Sequence, residues 1–170
     1  KPRNLTAKFD RCLLAASIAD TSEAAFAPKL LWSRDSRRIF FRLGWHGQQH
    51  LASIARSGGQ IVQHTRGAID CDFGALSDDG KRMGLTVSMP TRLAEIGVAQ
   101  LAGNRARITM LTDFNGPLLR QIDIAPVQSQ WIESGDGTRV QVWSMVPPRA
   151  KRGAKLPAIL QVHGGPPMTV

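Results

Sequence analysis

Two stretches of this chain repeat one another at a spacing of 44 residues, and few architectures accommodate that period. Trp32-Ser33-Arg34-Asp35-Ser36-Arg37-Arg38-Ile39 returns as Leu76-Ser77-Asp78-Asp79-Gly80-Lys81-Arg82-Met83. Downstream the register holds: Leu51-Ala52-Ser53-Ile54 falls opposite Glu95-Ile96-Gly97-Val98, and Gly59 opposite Gly103. Each copy carries a polar turn, where Asp bonds its own backbone and Gly80 accepts positive φ. Strand-like runs flank it: Lys29–Trp32, Ile39–Leu43, His50–Ala55 and Gln60–Thr65, then Cys71–Leu76, Met83–Ser88, Glu95–Leu101 and Arg107–Leu111. Such short β-rich runs do not make the helices of a solenoid.

Four short strands in about 44 residues is the pattern of a β-propeller blade. The expectation is therefore a mainly β chain, with about two four-stranded blades of a partial propeller over residues 1–114. Arg11–Ala27 is rich in Ala and reads either as a helix or, by preference, as a strand closing a hairpin ahead of the next blade.

After Thr112-Asp113-Phe114-Asn115-Gly116-Pro117 the repeat stops, and residues 115–170 read as the start of a second domain. Val127–Ser134 and Val140–Val146 alternate around Gly135-Asp136-Gly137, a hairpin signal. A basic loop (Arg149, Lys151, Arg152, Lys155) leads to Leu156-Pro157-Ala158-Ile159-Leu160-Gln161-Val162, an apolar run expected of a strand buried on both faces. It enters His163-Gly164-Gly165-Pro166-Pro167, where flexible backbone lets a substrate carbonyl approach closely.

Taken in order, these passages resemble the prolyl oligopeptidase family of serine peptidases, and its acylaminoacyl-peptidase branch most of all. Trp32-Ser33-Arg34-Asp35-Ser36 resembles its Trp-Ser-Pro-Asp-Gly propeller turn, and Leu111–Asn115 the passage out of the last blade. Ser134–Gly137 through Pro147 resembles its hairpin, and Leu156–Pro166 its oxyanion strand and loop. Leu76 departs from the expected Trp, and Pro167 from a bulkier or polar residue.

The resemblance implies a peptidase of short oligopeptide or acylaminoacyl substrates whose propeller gates access, followed by the first strands of an α/β-hydrolase sheet. It implies that the backbone N–H of Gly165 donates to the oxyanion, that Gly164 permits the tight loop, and that His163 orients it. The nucleophile elbow Gly-x-Ser-x-Gly and its Asp and His belong downstream. Ala55-Arg56-Ser57-Gly58-Gly59 mimics the elbow but joins two blade strands, so the chain by itself is expected to be inactive. The rival from another class is a propeller-type binding or scaffold module without catalysis.

Other partners find little support. The net charge of +9 is spread, +6 over residues 1–70, zero over 71–113 and +3 over 114–170. Few aromatic residues interleave with it, so nucleic acid is not expected. No apolar run reaches membrane-spanning length. His46 and His50 have H-x₃-H spacing without further ligands, and Asp78-Asp79-Gly80 lacks the later Glu of a calcium loop, so neither metal nor cofactor is expected. Cys12 and Cys71 form no redox motif, and Trp32, Trp45, Trp131 and Trp143 read as packing residues. Without an initiator Met or an apolar leader, the chain reads as beginning inside a longer protein, and its compartment stays open. Open sheet edges predict self-association.

Overall fold

The computed structural model describes residues 1–9, 13, 28–151 and 153–162. Much of the 17-residue stretch from Arg11 to Ala27 thus lies outside the described residues, as do His163, Gly164 and Gly165.

Mainly β architecture is what the repeat predicts and what forms. Strands β1 (Leu30–Trp32), β2 (Arg38–Trp45), β3 (Gln48–Ala55) and β4 (Val62–Gln63) make one antiparallel meander. Strands β5 (Asp70–Leu76), β6 (Arg82–Met89), β7 (Arg92–Ala102) and β8 (Arg105–Met110) make a second. One parallel bridge, Gln49 to Asp70, joins them into a single eight-stranded sheet. A short helix α1 (Gly116–Leu119) follows, then β9 (Val127–Glu133) and β10 (Arg139–Met145), an antiparallel pair in a sheet of its own.

The turns explain the register. Ser33 Oγ donates to Asp35 Oδ1 at 2.6 Å, which also takes the Arg37 N–H at 3.1 Å, while the Arg38 N–H bonds Ser33 Oγ at 2.9 Å. Ser77, Asp79, Lys81 and Arg82 repeat the set at 2.6, 3.0 and 2.9 Å. These bonds hold both aspartates below their usual carboxylate range, chiefly through the serine hydroxyl and then the backbone N–H. Gly80 sits at φ +68°, and Ser36 takes the same left-handed region at +55° in the first copy. Between β9 and β10, Ser134 donates to Asp136, which accepts the Thr138 N–H at 2.9 Å, so a third hairpin uses the same device.

Packing between the meanders makes the core. Alternate residues of β6 (Met83, Leu85 and Val87) are buried, the period of a sheet with one covered face. They join Phe40 and Leu51 of the first meander with Cys71, Phe73, Leu76 and Ala99 of the second in one cluster. The opposite face of β2 and β3 is covered too, by Leu5 and Phe9 against Phe41, Leu43, Ala52 and Ile54. Arg34 ties the turns together: its guanidinium donates to the carbonyls of Leu76 at 2.6 Å and Ser77 at 3.1 Å, and meets Asp78 at 3.2 Å. Arg34→Ala is expected to destabilise the chain by about 1 kcal/mol, since the side chain is half exposed, and a urea midpoint will read it.

The passage out of the second meander is pinned by charge. Ladder register shifts between Val87 and Met89, and Glu95 on β7 ends only 1% exposed. Its carboxylate accepts from Thr112 Oγ1, from the Asn115 N–H at 2.8 Å and from Asn115 Nδ2 at 3.0 Å, and these bonds lower its pKa to about 2. Asp113 binds Arg92 at 2.5 Å and Arg120 at 3.4 Å.

One expectation fails. Leu156–Val162 forms no strand, and Ile159, Leu160 and Val162 are 97%, 84% and 80% exposed. A strand buried on both faces needs a sheet neighbour and covering layers, and the described residues supply neither for this run.

Candidate functional site

The Ser57 mimic is settled by backbone geometry. Ser57 lies in the turn between β3 and β4, where the Gly58 N–H bonds the Ala55 carbonyl at 2.8 Å and the Arg56 N–H bonds that of Arg37 at 2.8 Å. This connection joins two antiparallel strands, whereas a nucleophile elbow leads from strand to helix.

The histidines separate as well. His46 and Gly47 form the two-residue turn between β2 and β3, with φ +52° and +69°, the signs of a type I′ hairpin. The His46 ring lies 4.6 Å from that of Trp45 and edge-on to Trp131 at 4.9 Å, while Gly47 leaves room for Trp143, whose ring would lie 3.0 Å from a Cβ. Arg139 covers Trp131 from 5.1 Å. The first meander therefore meets the β9–β10 hairpin through an aromatic contact at its β2–β3 tip, where Trp45, Trp131 and Trp143 gather, while Trp32 is half exposed. His50 is instead buried on β3, with Nδ1 3.2 Å from Thr65 Oγ1 and Nε2 3.0 Å from Gln48 Oε1. Among the described residues no cluster of His, Cys, Asp and Glu has the makings of a metal site. Cys71 is buried beside Thr65, and desolvation pushes its thiol up to about 11, so it is no nucleophile.

Sequence reasoning missed one serine–histidine pair. Ser53 Oγ lies 2.7 Å from His64 Nε2, and Arg38 Nε donates to the same hydroxyl at 2.8 Å. The ring nitrogen and the hydroxyl share one proton between them, and the other ring nitrogen, Nδ1, is buried with no hydrogen-bond partner among the described residues. Phe40 packs against the ring at 5.6 Å. Burial first, and the Arg38 charge second, lower the His64 pKa to about 4. Ser53 is 0% exposed, and the pair sits between the meanders where no substrate reaches it. Its role is structural. Only the sheet register brings residues 53 and 64 together, so no local motif announces them.

With this geometry in place, comparison with known proteins gives a direction. No family model matches the chain. It is 27% identical over 140 residues to dipeptidyl-peptidase 5 of Porphyromonas gingivalis, covering 82% of this chain and 20% of that protein. It is 24% identical over 132 residues to dipeptidyl-peptidase 5 of Porphyromonas endodontalis, covering 78% of this chain and 18% of that protein. The likeness is to peptidases. The chain spans about a fifth of the length of these curated relatives.

Proposed function

We propose that this chain is part of a serine peptidase of the prolyl oligopeptidase type that acts on short peptides. The likeness to two dipeptidyl peptidases over most of the chain carries this reading. In it, the two meanders are blades of a propeller that limits access to small substrates, and residues from about 115 onward open the α/β-hydrolase domain. The His163–Pro166 loop supplies half of an oxyanion hole: Gly165 N–H faces the developing negative charge, Gly164 lets the backbone turn, and His163 holds the loop. The relatives' name points to release of dipeptides; acylaminoacyl substrates remain the rival within the same class.

The full-length protein that carries this chain is expected to be labelled by a fluorophosphonate, and to release the fluorophore from a dipeptidyl aminomethylcoumarin faster than from an acetyl-aminoacyl one. Absence of labelling, together with no hydrolysis of either, would sink the proposal and favour a binding module. The 170-residue chain alone is expected to hydrolyse nothing. Ester hydrolysis by it that disappears in Ser57→Ala would contradict the structural reading of that turn.

A further inference from the structure

The end of the first meander remote from the aromatic contact carries a pocket of about 380 Å³, lined by Asp35, Arg37, Arg38, Ala55, Arg56 and Ser57. From the geometry of this pocket we propose that it is a binding site for a tetrahedral oxyanion, a phosphate or phosphate ester. It is independent of the peptidase reading.

Three guanidinium groups and one carboxylate line it, a formal charge of +2, and that balances a dianion. The carboxylate is already engaged. Asp35 takes the Ser33 hydroxyl and the Arg37 N–H within its turn, and the Arg37 guanidinium stands off at 3.9 Å. Among the described residues Arg56 has no carboxylate partner, and the buried Arg38 Nη2 has no hydrogen-bond partner. Arg38 is held in place by its Nε bond to the buried Ser53, so its charge is fixed behind the pocket, while the exposed Arg37 and Arg56 offer the forks. A fourth guanidinium stands at the rim: Gly58, at φ +84°, leaves space for Arg3, whose nearest nitrogen lies 3.1 Å from where a Cβ would sit. Guanidinium forks and a hydroxyl match the oxygens of phosphate, whereas a lining without an aromatic ring gives a nucleobase nothing to stack on.

Position separates this site from the β9–β10 hairpin. Strand β2 runs eight residues from Arg38 to the tip at Trp45. At about 3.3 Å per residue the pocket lies roughly 20 Å or more from the contact with the β9–β10 hairpin.

The test is calorimetric titration with inorganic phosphate at constant ionic strength, against chloride and acetate. Saturable binding of phosphate is expected, weakened about tenfold or more in Arg37→Gln/Arg56→Gln, whose melting temperature without phosphate should match the parent, since both side chains are exposed. Arg56→Glu should abolish binding and serves where the double variant fails to fold. Equal binding by these variants, or phosphate binding no better than acetate or chloride, overturns the assignment. Fluorophosphonate labelling should be the same in every variant, so loss of the anion site and failure of the peptidase reading give different results.

Discussion

Phe73→Ala is expected to lower the free energy of unfolding by about 3–5 kcal/mol, the range for deleting a fully buried aromatic ring. Phe73 is 2% exposed on β5 and belongs to the cluster that holds Phe40 and Leu51 of the first meander against Met83, Leu85 and Val87 of the second. The backbone link between the meanders is thin: one bridge pair, Gln49 with Asp70, and isolated bonds such as the Ala106 N–H to the His64 carbonyl at 2.9 Å. Their side-chain contact therefore carries the association. Removing the ring leaves a cavity where a twisted sheet cannot collapse without moving one meander against the other. Phe41→Ala, equally buried but in the cluster formed by the first meander with Leu5, Phe9 and Leu13, supplies the contrast. Hydrogen exchange should show protection lost in both meanders with Phe73→Ala, and mainly in β2 and β3 with Phe41→Ala. Identical protection maps would mean that the two meanders do not share one core.

The strands were legible because the period of two and the turn chemistry agree. Cys71–Leu76 and Met83–Ser88 were read to within a residue of the observed β5 and β6, because Ser77 and Asp79 mark the turn between them and Met83, Leu85 and Val87 alternate. The short helix Gly116–Leu119 was not anticipated; a four-residue helix opened by Pro117 has no apolar period to reveal it. Leu156–Val162 misled for a physical reason, since a continuous apolar run specifies burial but not what buries it. For the candidate site the balance is different. Order and spacing of several weak motifs pointed to a peptidase, and the likeness to two peptidases runs over most of the chain. The arginine pocket was not legible, because Arg37 and Arg56 meet only through the pairing of β2 with β3, where the Arg56 N–H bonds the Arg37 carbonyl.

Stability should fall as the pH drops from about 6.5 to about 4, with His64 responsible for about 2–3 kcal/mol of the loss. Above pH 6.5 the ring is neutral in the folded and the unfolded chain, and the fold keeps its full stability. Below it the unfolded chain takes up a proton that the folded chain refuses until about pH 4, because the ring is desolvated and faces Arg38. Geometry agrees with the refusal: a charged ring carries a proton on both nitrogens, and the buried Nδ1 has no acceptor among the described residues, while the Arg38 guanidinium is tied to the same Ser53 hydroxyl. His50, also lowered by burial, adds to the loss below the ordinary histidine range. The lowered carboxylates act later and in sequence. Asp35, Asp79, Glu95 and Asp136 contribute above the ordinary carboxylate range and lose that contribution as the pH falls below it, Glu95 and Asp136 down to about 2. His64→Gln separates the two phases. Its amide can accept from or donate to the Ser53 hydroxyl and does not titrate, so urea midpoints at pH 7, 5.5 and 4.5 should fall less steeply than in the parent, while the decline below pH 4 stays. Equal slopes in both proteins would assign the loss to His50 or to the carboxylates, and the buried Ser53–His64 pair would then carry no part of the pH response.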